Sequence, residues 1–198
     1  MPFPLIPLLS FLIASSFTPG PNNLACAALG LEGKYRRAFP YILGVYLSIA
    51  LLLFLTGMLR SLFVGFFERY ELGFRIAGMI YLFYMALGLM LKKGELKQAE
   101  ATGNLLKGFF FQLVNPKAVF FILTLQGLFF AKVQPSVMNL AAIALTVPVF
   151  SFLGTSTWAL AGSLLSNFLK DPEKLRRFNI LMGLLLIYTG ISLLFFHA

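Results

Sequence analysis

Two short stretches hold most of the chemistry this chain can place deep in an apolar environment. Asn115-Pro116-Lys117 lies inside the apolar run Leu105 to Ala131. A lysine at bilayer depth costs roughly 2.5 to 3.5 kcal/mol, and the adjoining proline removes a backbone donor and clashes with the preceding turn. Thr18-Pro19-Gly20-Pro21-Asn22-Asn23 interrupts the first apolar run in the same way. Pro19 and Pro21 cannot donate and Gly20 loosens the chain between them, so carbonyls around Ser15 to Thr18 lose their helical partners and must face protein or a water-filled cavity. Beyond the break, Asn22 and Asn23 start a half-helix whose free N–H groups present partial positive charge to an anion. A carboxylate suits that end and an ammonium suits the freed carbonyls; together they describe an amino acid. For Lys117 the expected partners are the freed carbonyls, the side chains of Asn115 or Gln112, or the substrate carboxylate itself. A proline kink made only for packing is the alternative, and two breaks in corresponding positions, one carrying an ionisable residue, weigh against it.

The elements that must position these stretches follow from composition. Of 198 residues 59% are hydrophobic and only 12% charged, too few to cover a soluble domain, so an integral membrane protein is expected. Six apolar runs, about 5 to 30, 38 to 59, 72 to 91, 105 to 131, 137 to 168 and 178 to 196, each reach the length needed to cross a hydrocarbon core. No alternating pattern supports a barrel, which leaves an all-α membrane protein of six transmembrane helices, broken in spans one and four. Residues 1–198 read as a single transmembrane domain: a first repeat of about 1–91, a cytoplasmic connector of about 92–104 and a second repeat of about 105–198. Each half holds three spans, an odd number, so the second half sits inverted relative to the first.

The net charge of +9 is distributed as topology rather than as a nucleic-acid surface. Lys34, Arg36 and Arg37 follow span one, Lys92, Lys93, Lys97 and Lys107 follow span three, and Lys170, Lys174, Arg176 and Arg177 follow span five. The other connectors hold Arg60, Arg69 and Arg75, diluted by Glu68 and Glu71, and then Lys132. The odd-numbered loops are therefore expected in the cytoplasm, against anionic lipid headgroups, and both termini outside. No lysine or arginine precedes Lys34, so the first run lacks the basic start of a signal peptide and is kept as a permanent span.

Several functions are disfavoured by what is missing. Cys26 is the only cysteine and His197 the only histidine, which leaves no disulfide framework, no multi-cysteine metal site and no implied cofactor. All seven acids fall at span ends or in loops, so no buried acid pair supports an intramembrane enzyme and no mid-membrane carboxylate awaits a strongly cationic substrate. Span five carries Thr155, Ala159 and Ser163 at four-residue spacing, a small stripe for close helix packing, whether internal or in a homodimer. Thr155, Ser156 and Trp158 are further candidates to line a cavity. Tyr46, Tyr81, Tyr84 and Tyr188 read as ordinary helix contacts, and Phe109 to Phe111 as lipid-facing bulk.

In order along the chain, Thr18-Pro19-Gly20-Pro21-Asn22-Asn23, then Gly33, Arg36 and Arg37, then Arg75-Ile76-Ala77-Gly78 with Tyr81-Leu82, and Asn115-Pro116-Lys117-Ala118 resemble the successive signatures of the lysine exporter (LysE/RhtB) family. Thr157 to Gly162 and Phe178-Asn179-Ile180 are similar to the branch exporting cysteine and O-acetylserine. The resemblance implies export of amino acids or close derivatives from the bacterial cytoplasm through the inner membrane, with the two broken spans near the substrate. The missing mid-membrane acid tilts the expected substrate toward a neutral one, against an exporter of basic amino acids. The remaining rival is a non-transporting assembly subunit whose kinks serve packing.

Overall fold

A computed structural model describes residues 5–91, 103–130, 136–167 and 171–195, apart from the side chains of residues 33, 60–68, 71, 74, 75, 128 and 192–195. The expected connector of about 92–104 lies outside the described residues, save its last two. Among the described residues the structure is helical: α1 (Leu5–Phe17), α2 (Pro21–Met58), α3 (Arg60–Leu91), α4 (Leu105–Leu113), α5 (Pro116–Thr124), a π-helical turn (Leu125–Phe129), α6 (Val137–Thr146), α7 (Pro148–Leu165) and α8 (Pro172–Phe195).

The ends of these helices follow local chemistry. Asn104 caps α4 by accepting from the Leu106 N–H at 2.9 Å, and Ser136 caps α6 by accepting from Asn139 at 3.2 Å. Pro21, Pro116 and Pro172 each open a helix, where the missing N–H has no partner to lose. Pro19 cannot continue α1, and the chain leaves helical geometry from Thr18 to Gly20. A second departure, at Val114 and Asn115, bends the chain by 66° between α4 and the following helix.

α2 is drawn without interruption for 38 residues, yet it is not a straight rod. The Tyr41 hydroxyl donates to the Asn22 Oδ1 at 2.8 Å, whereas 19 residues of straight helix would hold the two about 28 Å apart. The chain therefore doubles back, and Lys34, with a left-handed φ of 62°, marks the fold between a first limb, 21–33, and a second limb, Lys34–Met58. Glu32 and Arg37 flank that turn, 3.7 Å apart. The expected connector after span one is thus a tight turn within α2, at Lys34. The connector expected at 60–71, by contrast, is helical throughout and belongs to α3.

By length and composition, Lys34–Met58 and Val137–Leu165 can each cross a membrane, and the bent pair Leu105–Leu113 with Pro116–Gly127 adds a third candidate. Leucine and isoleucine side chains stay exposed along the outer faces, Leu47, Leu51, Leu153, Leu164 and Leu184 among them. In water such a surface would associate; in lipid it is solvated. Phe110 conforms to the expected lipid-facing role at 60% exposed, but Phe111 packs against the core, because the bend at Val114 tilts α4 across α2.

The helices touch backbone to backbone where glycine and alanine allow it. A Cβ on Gly30 would sit 2.0 Å from the Ala159 carbonyl oxygen, and one on Gly162 would sit 2.1 Å from that of Ala27. The small stripe of α7 is therefore spent on the first limb of α2 within one chain, not left free for a second copy. The second limb meets α4 in the same manner: a Cβ on Gly44 would come 2.0 Å from the Leu105 carbonyl oxygen, and one on Gly108 would come 2.1 Å from that of Tyr41. α1 in turn meets α7, where Gly154 faces the Ser16 carbonyl. Each broken segment thus packs on the second span of the other half of the chain, and α3 pairs with α8. The Lys34 turn, the start of α4 and the start of α8 converge at one end: Gly103 abuts the Arg37 carbonyl, and Leu31 shares a small cavity with Phe178 and Asn179, just beyond Arg176 and Arg177.

Gly30→Ala should lower stability by about 1 to 3 kcal/mol, since a rigid carbonyl must move. Gly88→Ala, at a position with nothing within 4 Å of an added Cβ, should be neutral or slightly stabilising. Thermal unfolding of the two variants in detergent, followed by loss of monodisperse protein, measures the contrast.

Candidate functional site

The two departures from helix meet. Lys117, on the first turn of α5, directs its Nζ to the Thr18 carbonyl oxygen at 2.6 Å and reaches the Pro19 carbonyl at 3.5 Å. Its own backbone N–H is held by the Asn115 Oδ1 at 3.1 Å, which caps α5 and fixes the direction in which the lysine leaves the helix. The first break thus supplies carbonyls and the second supplies the ammonium.

Four consecutive carbonyls freed by Pro19 and Pro21 are taken up by four side chains from elsewhere in the fold. Ser16 accepts from Asn23 Nδ2 at 2.9 Å, and Phe17 accepts from Trp158 Nε1 at 3.1 Å. Thr18 accepts from Asn23 at 2.8 Å as well as from Lys117, and Thr189 of α8 reaches Pro19 at 3.5 Å. A buried carbonyl left alone costs about 1 to 3 kcal/mol, so these donors are what allow the break to exist. The Ser16 hydroxyl, buried beside them, has no hydrogen-bond partner.

A second set of side chains ties the breaks together from below. Asn22 and Asn115 both donate to the Gln112 Oε1, the latter at 3.2 Å, while Tyr41 donates to Asn22. Asn22, Asn23, Gln112 and Asn115 are all buried. Between the two sets lies Gly20, extended at φ −166° and ψ 171°, from which α2 begins with no side-chain cap. An added Cβ there would stand 2.8 Å from the Lys117 Cδ and 3.2 Å from its Nζ. An uncapped helix N-terminus and a lysine ammonium therefore converge on one point, and both favour a negative charge there.

The sequence-based candidates sort unevenly. Pro19, Gly20, Pro21, Asn22, Asn23, Gln112, Asn115, Pro116 and Lys117 come together here. Trp158 joins them through Phe17. Thr155 does not, because its hydroxyl bonds back to the Ser151 carbonyl of its own helix at 2.8 Å, and Ser156 pairs instead with Tyr35 at 3.1 Å near the Lys34 turn. The carbonyls just before Pro116, which a proline would leave free to hold a substrate ammonium, are partly spent: Phe110 and Gln112 accept from Val114 and Asn115, because the chain tightens rather than opens before the bend. Tyr41 and Thr189 were not foreseen, since each reaches the site from mid-helix with no break or charge beside it. Tyr84 and Tyr188 point outward at 75% and 68% exposed, and Tyr46 bonds to the Leu145 carbonyl.

A profile of the family described as LysE type translocator matches residues 13–196. A homoserine/homoserine lactone efflux protein of Salmonella typhi is 24% identical over 185 residues, covering 90% of this chain and 89% of that protein. A cysteine/O-acetylserine efflux protein of Klebsiella pneumoniae is 24% identical, covering 93% and 94%, and a leucine efflux protein of the same organism is 26% identical, covering 96% and 94%. No solved structure matches.

Asn23→Leu, which removes the donor to two buried carbonyls while keeping the volume, should destabilise the protein by about 1 to 3 kcal/mol or more. Asn22→Leu should destabilise by a comparable amount although Asn22 reaches none of the four carbonyls, because it leaves the buried Tyr41 hydroxyl without its acceptor. Unfolding temperatures in detergent compare the two.

Proposed function

Because this chain belongs to the LysE type translocator family, we propose that it exports a small neutral amino acid or close derivative across the bacterial inner membrane, with the paired breaks as its substrate site. The observation that carries this reading is the Lys117 ammonium seated on the Thr18 and Pro19 carbonyls. A primary ammonium already occupies the place that a substrate's own ammonium would take. A zwitterion arriving there can take over those carbonyls and give its carboxylate to the released Lys117 and to the uncapped N-terminus of α2 at Gly20. Each charge then exchanges one partner for another of the same kind, and no group is left bare during the exchange.

The names of the relatives support a small, mostly neutral substrate: homoserine, cysteine, O-acetylserine and leucine differ in side chain but share the α-ammonium and, lactone aside, the α-carboxylate. Recognition at the breaks addresses those shared groups. A basic amino acid would add a cation, and the acidic side chains among those described, Glu32, Asp171 and Glu173, stand beside basic residues.

The transport cycle proposed is alternating access between two inverted halves of three spans each, with the basic end in the cytoplasm and both termini outside. What supports it is reciprocity: α1 packs on α7 and α4 packs on the second limb of α2, so each half lends its broken segment to the other.

Lys117→Met should reduce amino-acid accumulation in the medium of overexpressing cells at least tenfold, at an unchanged membrane level, read by mass spectrometry of the medium and immunoblot of the membranes. Equal accumulation would sink the assignment. Gly20→Ala should also depress export with little loss of stability, because the atom it meets belongs to the mobile end of Lys117 and not to backbone.

A further inference from the structure

One buried polar side chain is not used by the site above. Asn179 of α8 is 1% exposed, and neither its amide nitrogen nor its oxygen has a hydrogen-bond partner. It lines a small cavity, with room for about one water molecule, enclosed by the first limb of α2, by Leu89 of α3 and by Met182 of α8. A buried water requires two to four polar partners, and every other side chain lining this cavity is apolar. A structural water therefore does not account for the asparagine, and an unsatisfied buried amide is costly to maintain.

The position of the cavity gives it a meaning. Its α2 wall consists of Leu24, Ala27, Ala28 and Leu31, spaced at three and four residues along one face of the limb. That face begins next to Asn23, which holds the Thr18 carbonyl, and ends beside Glu32 and the Lys34 turn. On the opposite wall, Asn179 stands two residues past Arg177, and Thr189, ten residues further along α8, reaches Pro19. The cavity thus lies between the basic end of the molecule and the paired breaks, walled on one side by two alanines.

Building on the transport reading above, we infer that this face is the cytoplasmic access route to the breaks, and that Asn179 binds the polar group of a substrate side chain on the way. Its amide offers both a donor and an acceptor, so it fits a hydroxyl, ester or thiol, and it selects polar side chains over apolar ones of equal size. The breaks then recognise the α-groups and Asn179 recognises the side chain.

Homoserine and norvaline test this, because they differ by a terminal hydroxyl in place of a methyl. The full chain is reconstituted in liposomes and export of each is measured as a function of concentration on the side that bears the basic connectors. The wild type should favour homoserine. Asn179→Leu should raise the KM for homoserine about tenfold and leave that for norvaline within twofold. Asn179→Thr, which retains a donor and an acceptor in a smaller side chain, should keep most of the preference and serves if the leucine variant does not fold. An Asn179→Leu ratio of KM values equal to that of the wild type, or an Asn179→Thr ratio fallen to one, in protein that still exports both compounds, overturns the inference while leaving the transport reading intact. A wild type that moves neither compound overturns both.

Discussion

The contact between the Lys117 ammonium and the Thr18 and Pro19 carbonyls sets the terms for the rest of the molecule. A cation inside an apolar bundle must be neutralised by oxygen, and a helix break offers carbonyls more fully than an intact helix, whose carbonyls already accept one bond each. The broken helix receives it here. Once broken, it leaves further carbonyls that demand donors, and Asn23, Trp158 and Thr189 provide them from three helices. Those donors have short side chains or fixed reach, so the helices bearing them must lie close to the break. The glycine and alanine crossings at Gly30, Gly154 and Gly162 bring their backbones within that reach. The chain of requirements runs from one charge to the spacing of small residues two helices away.

The two breaks divide the work instead of duplicating it. The first opens its carbonyls to side chains, because Pro19 and Pro21 remove two successive donors. The second keeps its carbonyls largely to itself, with Asn115 capping α5, and contributes a cation. Pro116 acts there mainly to end α4 and set the 66° bend that aims Lys117 across the bundle. A pair of symmetric breaks would present like groups to each other; this pair presents opposite ones, which is what a zwitterion requires of its surroundings on the reading proposed.

Much of this was legible in the sequence, and the residues explain why. Proline beside glycine or asparagine within an apolar run states a local backbone fact, so both departures from helix could be placed, as could the nine residues of the two breaks and Gln112. For Lys117 the freed carbonyls could be named as one candidate partner, beside Asn115, Gln112 and a substrate carboxylate, and the structure selects the carbonyls. What could not be read was which side chain crosses to which helix. Thr155, Ser156 and Trp158 are neighbours in sequence but point in three directions around α7, and only Trp158 reaches the break. The reversal at Lys34 was expected as the connector after span one, but that it sets the Tyr41 hydroxyl on Asn22 is a tertiary fact no local pattern announces. The extent of α3 through Arg60–Glu71 was hidden for a related reason: charges suggested a loop, and a helix tolerates them outside the hydrocarbon.

A site whose empty form is already satisfied carries a consequence for affinity. If the Thr18 and Pro19 carbonyls waited bare, substrate binding would gain the full energy of satisfying them, and release on the other side would be correspondingly slow. On the exchange proposed, binding would replace one ammonium by another, and the net gain would be limited to what the carboxylate, the N-terminus of α2 and the side-chain contacts add. An exporter working against accumulation outside the cell gains from weak binding, since its rate depends on letting go as much as on capture. On the same reading the cost of returning empty would be removed, since Lys117 would restore its contacts with the two carbonyls once the substrate had left. A fixed carboxylate in place of Lys117 would do neither, since it would repel the carbonyls in the empty state and compete with the substrate carboxylate in the loaded one. On that reading a lysine, at its cost in hydrocarbon, would suit a site that must be stable both occupied and vacant.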